Sequence, residues 1–209
     1  MKQNQFGRSM IEMLGVLAII AVLSVGGIAG YSKAIQKFKL NKWKEDFIAL
    51  TINLKTAFIS EKNYSSIEEI DLTNFFKELN IIPNNMITVQ NRDIFGNMMK
   101  IYTRKNPEFG VNKTHFTIQF KTFANSDSVE ECKILFELLQ NYEDGWIVTL
   151  NEDSGAGTGG SLSVCGKILP KTYAQKTKCV SYDLALVSQK CSTCSKNNCD
   201  IKFAISNGN

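Results

Sequence analysis

The chain has six cysteines, which can form disulfides, bind a metal or act in redox reactions, and all of them lie in its C-terminal half. Five fall between Cys165 and Cys199, and an even number of cysteines gathered in one region indicates disulfides formed in an oxidising compartment. Spacing alone leaves many pairings open. It is compatible with a bridge from Cys165 to Cys179, or from Cys165 to one of Cys191 and Cys194, and also with a Cys191–Cys194 bridge.

Two sharper interpretations exist for the segment from Cys191 to Cys199, which spaces three cysteines as C-x2-C-x4-C. With Cys179 as a fourth thiolate the segment has the ligands of a zinc site, and Cys191-x-x-Cys194 has the form of a thioredoxin-type redox pair. The spacing is loose for zinc, and the polar sequence CSTCSKNNC lacks the strand-then-helix setting of a redox motif. Disulfides are therefore favoured over both.

Other groups suited to catalysis or cofactor binding are few. His115, the single histidine, falls on the polar phase of a predicted strand, so we expect a surface residue there. Asn151-Glu152-Asp153 offers oxygen ligands for calcium, but without the regular spacing of a dedicated calcium loop. No Gly-Lys-Ser/Thr follows the glycines of residues 151–163, which excludes a P-loop. The sequence thus predicts no enzyme, no cofactor and no metal site.

Composition and charge narrow the class of protein. The chain is 44% hydrophobic and 21% charged, which excludes a disordered or collagen-like protein. The net charge of +4 is small and dispersed, so it gives no argument for a specific nucleic-acid partner.

The elements that must position the cysteines begin with a long apolar helix. Residues 13–32 are twenty consecutive uncharged residues, and as a helix they span roughly 30 Å, the thickness of the hydrocarbon core of a bilayer. The apolar region of a removed signal peptide is shorter, whereas this one leads directly into an amphipathic segment. We expect the helix to bend or melt near Gly26, Gly27 and Gly30, because each glycine costs about 1 kcal/mol relative to alanine.

The amphipathic segment continues the helix with a single apolar stripe. Apolar residues recur along it at spacings of three and four. They are Leu40, Trp43, Phe47, Leu50, Leu54 and Ala57. No proline precedes Pro83, so we predict one helix from about residue 9 to about residue 60, with its second half packed on a folded head.

The rest of the chain is predicted to form an α+β head. Alternation in HFTIQFKTF, residues 115–123, indicates a strand with one buried face. Further strands are expected at residues 86–90, 98–104 and 145–150 and in the segment that follows Cys199. A helix is predicted after the capping-box sequence Ser128-Val129-Glu130-Glu131, and residues 151–163 are predicted to be a Gly/Ser-rich loop. This order of elements favours an antiparallel sheet packed against the helix stripe.

The amino-terminal sequence Gly7-Arg8-Ser9-Met10-Ile11-Glu12, followed at once by the apolar segment, resembles the signature of type IV pilins, a family that includes prepilins and pseudopilins. The motif of that family is a short basic leader ending in glycine, with glutamate as the fifth residue after the cleavage site. The resemblance implies a leader over residues 1–7, cleavage between Gly7 and Arg8, and N-methylation of Arg8. Arg8 stands where the family usually has an apolar residue.

The resemblance also implies how the chain is organised. Residues 8–32 would be the transmembrane and polymerisation helix, residues 33–60 its amphipathic continuation, and residues 61–209 the globular head of the type IV pilin fold with a cysteine-rich C-terminal region. In the larger, type IVb members a cystine joins the helix after the central strands to the edge of the last strand. Cys132 and Cys199 match these two positions, so the resemblance implies that they pair.

The function implied by the resemblance is that of a fibre subunit. A prepilin would be stored in the bacterial inner membrane, with its N-terminus in the cytoplasm and its head in the periplasm. Prepilin peptidase would cleave it, and the inner-membrane assembly platform would polymerise it, with copies of itself or other pilins, into an extracellular pilus. Glu12 would pair with the α-amine of Arg8 in a neighbouring copy, since a carboxylate costs roughly 2.5–3.5 kcal/mol at the centre of a bilayer.

Two other functions stay open from the sequence. One is a pseudopilin of a type II secretion system, and the other is an unrelated single-span membrane protein with an extracytoplasmic binding domain. Charge counting favours the opposite orientation, because five lysines follow the span and few basic residues precede it. These lysines are Lys33, Lys37, Lys39, Lys42 and Lys44. The cysteines and the prepilin motif together place the head outside the cytoplasm, and we give them precedence over the charge count.

Overall fold

The structure is a computed structural model, and it describes residues 6–58, 70–105, 114–141, 145–153, 161–167 and 178–206. Helix α1 runs from Phe6 to Phe58, close to the predicted limits. It stays helical through Gly26, Gly27 and Gly30, so the expected melting does not occur. Helix formation is cooperative, and a long helix accommodates a few unfavourable residues in its interior. The chain divides into two compact units between Lys42 and Trp43.

The second unit combines the C-terminal part of α1 with shorter helices and strands. In chain order these are helix α2 (Thr73–Glu78), strand β1 (Met98–Lys105), strand β2 (Thr114–Thr122), helix α3 (Ser126–Asn141), strand β3 (Gly145–Asp153), strand β4 (Ser161–Cys165), helix α4 (Leu184–Cys191), a 3₁₀ turn (Ser192–Ser195) and strand β5 (Asn198–Ser206). Strands β1, β2, β3 and β5 and helix α3 confirm the corresponding predictions. The predicted Gly/Ser-rich loop, residues 151–163, is shorter in the structure, because β3 extends into its start and β4 begins before its end. Residues 154–160 of this loop lie outside the described residues.

Within the described residues the five strands form one antiparallel sheet in the order β1-β2-β5-β3-β4. The last strand of the chain therefore lies in the middle of the sheet, between β2 and β3. Phe116, Ile118 and Phe120 on β2 are buried on one face, as their alternation predicted. His115 pairs through its backbone with Arg104 and Ser206, and its predicted side-chain exposure lies outside the described residues.

The C-terminal part of α1 packs on the inner face of this sheet. The buried members of its apolar stripe are Trp43, Phe47, Leu50 and Leu54. The ring of Phe47 meets that of Phe203 on β5 at 5.1 Å between centroids, and the ring of Trp43 meets that of Phe120 on β2 at 5.4 Å. Aromatic pairs at these distances add stabilisation beyond the burial of their area. The predicted α+β layout, a long helix packed on an antiparallel sheet with disulfides, is confirmed.

The predicted strand at residues 86–90 is wrong. Asn85 and Asn91, with φ angles of 70° and 57°, take left-handed conformations on either side of this segment and fold it into a turn. Asparagine tolerates this conformation better than most residues. Met86 and Ile87 are buried, so the strand-like composition of this segment reflects burial in a loop and not pairing in the sheet.

Helix α4 lies in the cysteine-rich tail, where no helix was predicted. The Asp183 carboxylate caps its first turn by accepting a hydrogen bond from the backbone N–H of Leu186 at 2.8 Å. Val187 and Cys191 are its buried residues. Asp183 followed by Leu184, Val187 and Cys191 at helical spacing is the signal by which the helix is recognisable in the sequence.

Candidate functional site

The first unit is a stretch of α1 whose apolar side chains are uncovered. Every described side chain from Met10 to Ile35 is exposed, and Val22 is 74% exposed. The Ser24 hydroxyl donates to the carbonyl oxygen of Ile20 at 2.7 Å, so this polar group is satisfied within the helix. Helix α1 is the one helix of the described chain that is long and apolar enough to cross a membrane. An uncovered apolar surface of this size marks contact with lipid or with other protein chains.

Glu12 is exposed near the start of this surface and is the single acidic residue among residues 1–44. No described side chain forms an ion pair with Glu12. Gly7 and Arg8 belong to the first turns of α1. Residues 1–5 of the predicted leader and the Arg8 side chain lie outside the described residues. Leader cleavage, methylation of Arg8 and pairing of Glu12 therefore stay predictions.

Three disulfides join the six cysteines, and they differ in part from the pairing implied by the family resemblance. Cys132 on α3 bonds to Cys191 on α4, with Cα atoms 5.7 Å apart. Cys199, at the start of β5, bonds to Cys194 in the 3₁₀ turn, with Cα atoms 5.6 Å apart. The expected Cys132–Cys199 pair is therefore wrong.

The local folding of the tail decides this pairing. Helix α4 packs against α3 and brings Cys191 to Cys132, and both residues are fully buried. The 3₁₀ turn then reverses the chain, with the backbone N–H of Asn197 donating to the carbonyl oxygen of Thr193 at 2.9 Å. This tight reversal returns the chain to Cys194 within five residues, so Cys199 has a nearer partner than Cys132.

The third disulfide joins Cys165 at the end of β4 to Cys179, one of the alternatives compatible with the spacing. The backbone N–H of Cys165 donates to Val180 O, and the N–H of Val180 donates to Ser163 O, each at 2.9 Å. These bonds give the edge strand β4 a short partner, which limits its exposed hydrogen-bonding groups. With all six cysteines in disulfides, no thiolate is free for the zinc or redox interpretations.

A groove of about 350 Å³ lies at one end of the sheet and is lined by residues of four strands, including Lys121, Asn151 and Asp200. Asp200 is engaged by its neighbours: Gln119 Nε2 donates to Asp200 Oδ1 at 2.7 Å, and Lys202 Nζ lies 3.5 Å from Asp200 Oδ2. Asn151 belongs to the segment considered for calcium. Among the described side chains, no group of three metal ligands forms there or elsewhere.

A buried polar cluster, consisting of Asp93, Asn97 and Glu131, lies where the loop before β1 meets α3. Its members are at most 2% exposed. Asp93 Oδ1 accepts from the backbone N–H groups of Phe95 and Asn97, each at 2.9 Å. The Asn97 side chain donates from Nδ2 to Glu131 Oε2 and accepts at Oδ1 from Phe123 N at 3.0 Å. Sequence reasoning missed this cluster.

The predicted capping box that begins at Ser128 is also wrong. Helix α3 begins two residues earlier, and Asn125 Oδ1 accepts from the backbone N–H of Ser128 at 2.8 Å. The Ser128 hydroxyl donates instead to Phe123 O at 2.7 Å. The capping-box pattern places Glu131 in the first turn of the helix, with its side chain bonded to the backbone N–H of the capping residue. In the structure Glu131 is fully buried and bonded to Asn97. The S-x-x-E pattern describes a local sequence and contains no information about burial.

Burial has a large effect on the two carboxyl groups of the buried polar cluster. It raises the pKa of Glu131 well above the ordinary value, and the negative charge of Asp93 and the hydrogen bond to Asp93 raise it further, against an opposing effect of Asn97. Burial also raises the pKa of Asp93, although hydrogen bonds with Glu131, Asn97 and Phe95 oppose that rise. Glu131 is therefore the group that retains a proton more strongly.

Comparisons with known proteins gave no match: no protein-family model, no curated protein and no solved structure matches this chain. We therefore infer function from the residues and their geometry.

Proposed function

We propose that this chain is a structural subunit of a type IV pilus. It is inserted in the bacterial inner membrane as a prepilin, cleaved after Gly7 by prepilin peptidase, and polymerised through the N-terminal part of α1 into a surface fibre. The head becomes the part of the fibre that meets the surroundings. Adhesion, aggregation, motility, DNA uptake or conjugation are the activities that such a fibre serves.

The observation that supports this proposal is the presence of two different surfaces on one continuous helix. From Met10 to Ile35 α1 is exposed and mostly apolar, whereas from Trp43 onward its apolar stripe is buried in the core of a folded unit. The uncovered part needs lipid before assembly and other subunits after it. Gly7 and Glu12 stand directly before that part at the spacing of the pilin motif.

The cross-linked head fits a position outside the cytoplasm. Three disulfides restrict the unfolded chain and so favour the folded one. Disulfides form and persist in oxidising compartments such as the periplasm and the cell surface. This agrees with the orientation of the prepilin motif and opposes the one obtained by counting lysines.

Glu12 is the assembly residue in this proposal. A carboxylate within hydrocarbon costs roughly 2.5–3.5 kcal/mol at the centre of a bilayer, and opposite charge offsets that cost. Cleavage after Gly7 creates a positively charged α-amine on Arg8. Each subunit would thus carry both members of an ion pair, and neighbouring copies would exchange them as the fibre grows.

The decisive experiment determines the N-terminus of the protein in cells with and without the prepilin peptidase. We expect a mature chain that begins at Arg8 when the peptidase is present and an intact leader when it is absent. Mass spectrometry of the N-terminal peptide would also show whether Arg8 is methylated. An intact Met1 in cells that contain the peptidase, or a cut beyond about residue 30 as for a removed signal peptide, would contradict the proposal.

Replacement of Glu12 by valine should abolish most fibres while leaving the head folded. We expect the yield of sheared surface fibres to fall at least about tenfold, which corresponds to about 1.4 kcal/mol of lost association energy. Glu45→Gln is the matched control, because Glu45 is an exposed acid on the same helix. Normal fibre yield from Glu12→Val would refute the pairing role. Cleaved protein without surface fibres in the unaltered strain would favour the pseudopilin alternative.

A further inference from the structure

The two carboxyl groups of the buried polar cluster can form a hydrogen bond with each other only if one of them carries a proton. Asp93 Oδ2, Glu131 Oε1 and Trp43 Nε1 are buried atoms without a partner of ordinary hydrogen-bond geometry among the described residues. Asn97 joins the two carboxyl groups, because its backbone N–H donates to Asp93 Oδ1 and its Nδ2 donates to Glu131 Oε2. Two ionised carboxylates cannot form a hydrogen bond, because both are acceptors only.

A single proton completes the cluster. Placed on Glu131 Oε1, it makes a donor for Asp93 Oδ2 and leaves Glu131 Oε2 as the carbonyl oxygen that accepts from Asn97 Nδ2. Asp93 then stays ionised, with two backbone N–H donors at Oδ1. The indole N–H of Trp43 interacts favourably with this negative charge. Charge-assisted hydrogen bonds of this kind are stronger than neutral ones.

We propose that Asp93 and Glu131 share one proton in the folded head, carried by Glu131 and donated to Asp93, and that this proton is a pH-sensitive tie between three elements. Trp43 belongs to α1, Asp93 to the loop before β1, and Glu131 to α3. Loss of the proton places two like charges in contact inside the core, where water cannot screen them. The inference goes beyond the proposed function and does not depend on it.

Among the described residues, no positive charge is paired with either carboxyl group. Asp127, one turn before Glu131 on α3, raises the pKa of Glu131 further through its negative charge. Arg92, next to Asp93, donates instead to a backbone carbonyl of its own loop at 2.7 Å. From α1 the group that interacts with Asp93 is the Trp43 indole. No described basic side chain forms an ion pair with either carboxyl group, so a proton is the neutralising species.

The raised pKa of Glu131 sets the direction of the pH effect. Below the ordinary pKa of glutamate, the folded and unfolded chains both carry the proton, and the full stability of the pair is present. Above it the unfolded chain releases the proton while the folded chain keeps it, so the free energy of unfolding falls as pH rises towards the folded pKa. Asp93 contributes in the same direction, since its pKa is also raised. The tie therefore holds in acid and weakens towards alkaline pH.

The test uses the full chain in mild detergent micelles and the isosteric variant Glu131→Gln. Glutamine supplies a permanent donor to Asp93 and a carbonyl acceptor for Asn97, without a titrating proton. We expect the unaltered protein to lose at least about 3 °C in Tm between about pH 5 and about pH 8, and Glu131→Gln to lose much less. Infrared difference spectra should show the carbonyl stretch of a protonated carboxyl group at neutral pH, and Glu131→Gln should lack it.

Glu130→Gln is the matched control for the loss of one acid from α3. Glu130 is half-exposed and paired with Lys133 at 2.8 Å, so its variant should keep both the infrared band and the fall in Tm. Two results would overturn the proposal: the absence of a protonated carboxyl group in the unaltered protein at neutral pH, or the same fall in Tm in Glu131→Gln. Should Glu131→Gln fail to fold, infrared titration of the unaltered protein and of Asp93→Asn tests the proposal by itself. We expect the band of the protonated carboxyl group to disappear at a lower pH in Asp93→Asn than in the unaltered protein.

Discussion

Asn97 joins three separate segments of the head. Its backbone N–H and side chain bond to Asp93, Glu131 and Phe123, which lie in the loop before β1, in α3 and directly after β2. An amide side chain can donate and accept at once, and both capacities are used here. A buried polar group of this kind makes the local arrangement specific, because each partner loses a hydrogen bond if the residue is changed.

Replacement of Asn97 by alanine should destabilise the head by about 2–4 kcal/mol, because it removes the partner of one oxygen of the fully buried Glu131 and of the part-buried backbone N–H of Phe123. Guanidinium unfolding of the full chain in detergent, followed by tryptophan fluorescence, measures the loss. Asn141→Ala is the control. Its amide donates to Glu137 O at 3.2 Å on the exposed end of α3, so we expect a change within about 0.5 kcal/mol. Equal effects in both variants would contradict the role given to Asn97.

At the scale of elements, the tail is held by cystines of very different loop length. The partners are 59 residues apart in Cys132–Cys191, 14 in Cys165–Cys179 and 5 in Cys194–Cys199. A cross-link reduces the entropy of the unfolded chain more when it closes a longer loop. The bridge between α3 and α4 therefore carries the largest share, and the bridge in the 3₁₀ turn mainly sets the path into β5.

Paired replacement of each bridge by alanines should reproduce this order. On the chain-entropy account the losses are about 4 kcal/mol for Cys132–Cys191, about 3 kcal/mol for Cys165–Cys179 and about 2 kcal/mol for Cys194–Cys199. Denaturant unfolding of the three double variants measures them, and non-reducing peptide mapping of the unaltered protein checks the pairing. A cross-linked peptide containing Cys132 and Cys199 would restore the pairing implied by the pilin resemblance. A reversed order of losses would show that strain or packing outweighs chain entropy.

At the scale of the whole molecule, the buried residues of the described chain lie in the second unit. All buried hydrophobic residues of the described chain lie at Trp43 or beyond, and residues from Met10 to Ile35 contribute none. The head therefore has its own core, to which α1 contributes only its C-terminal part. The first unit is left to contact lipid or other protein chains without any change in that core.

A chain that begins at Ser32 should fold without detergent and melt as the head of the full chain does. It retains every buried hydrophobic residue of the described chain and loses the exposed apolar surface. Circular dichroism melting of both proteins, with size-exclusion chromatography of the shorter one, measures the outcome. A shorter chain that aggregates, or melts more than about 5 °C below the full chain, would show that the apolar part of α1 supports the head.

Features of the fold that depend on the periodicity of neighbouring residues were predicted correctly, whereas features that depend on contacts with other parts of the chain were not. The stripe containing Trp43, Phe47 and Leu50 and the alternation of Phe116, Ile118 and Phe120 correctly predicted which faces are buried. Residues 86–90 have the composition of a strand, but left-handed asparagines on either side turn the chain instead. The side chain that caps helix α3 is that of Asn125 and not that of Ser128, and no local pattern distinguishes these two residues as caps.

The sequence by itself determined the extent of α1, its change from an uncovered apolar surface to a one-sided stripe, and the position of four of the five described strands. These depend on periodicity and on the length of uncharged segments, which are properties of neighbouring residues. Only the tertiary structure decided that Cys132 bonds to Cys191 and that Glu131 is buried against Asp93 and Asn97. Both depend on which distant segments of the chain meet. Helix α4 packs on α3, and α3 packs on the loop before β1. The spacing of residues along the chain does not encode these contacts.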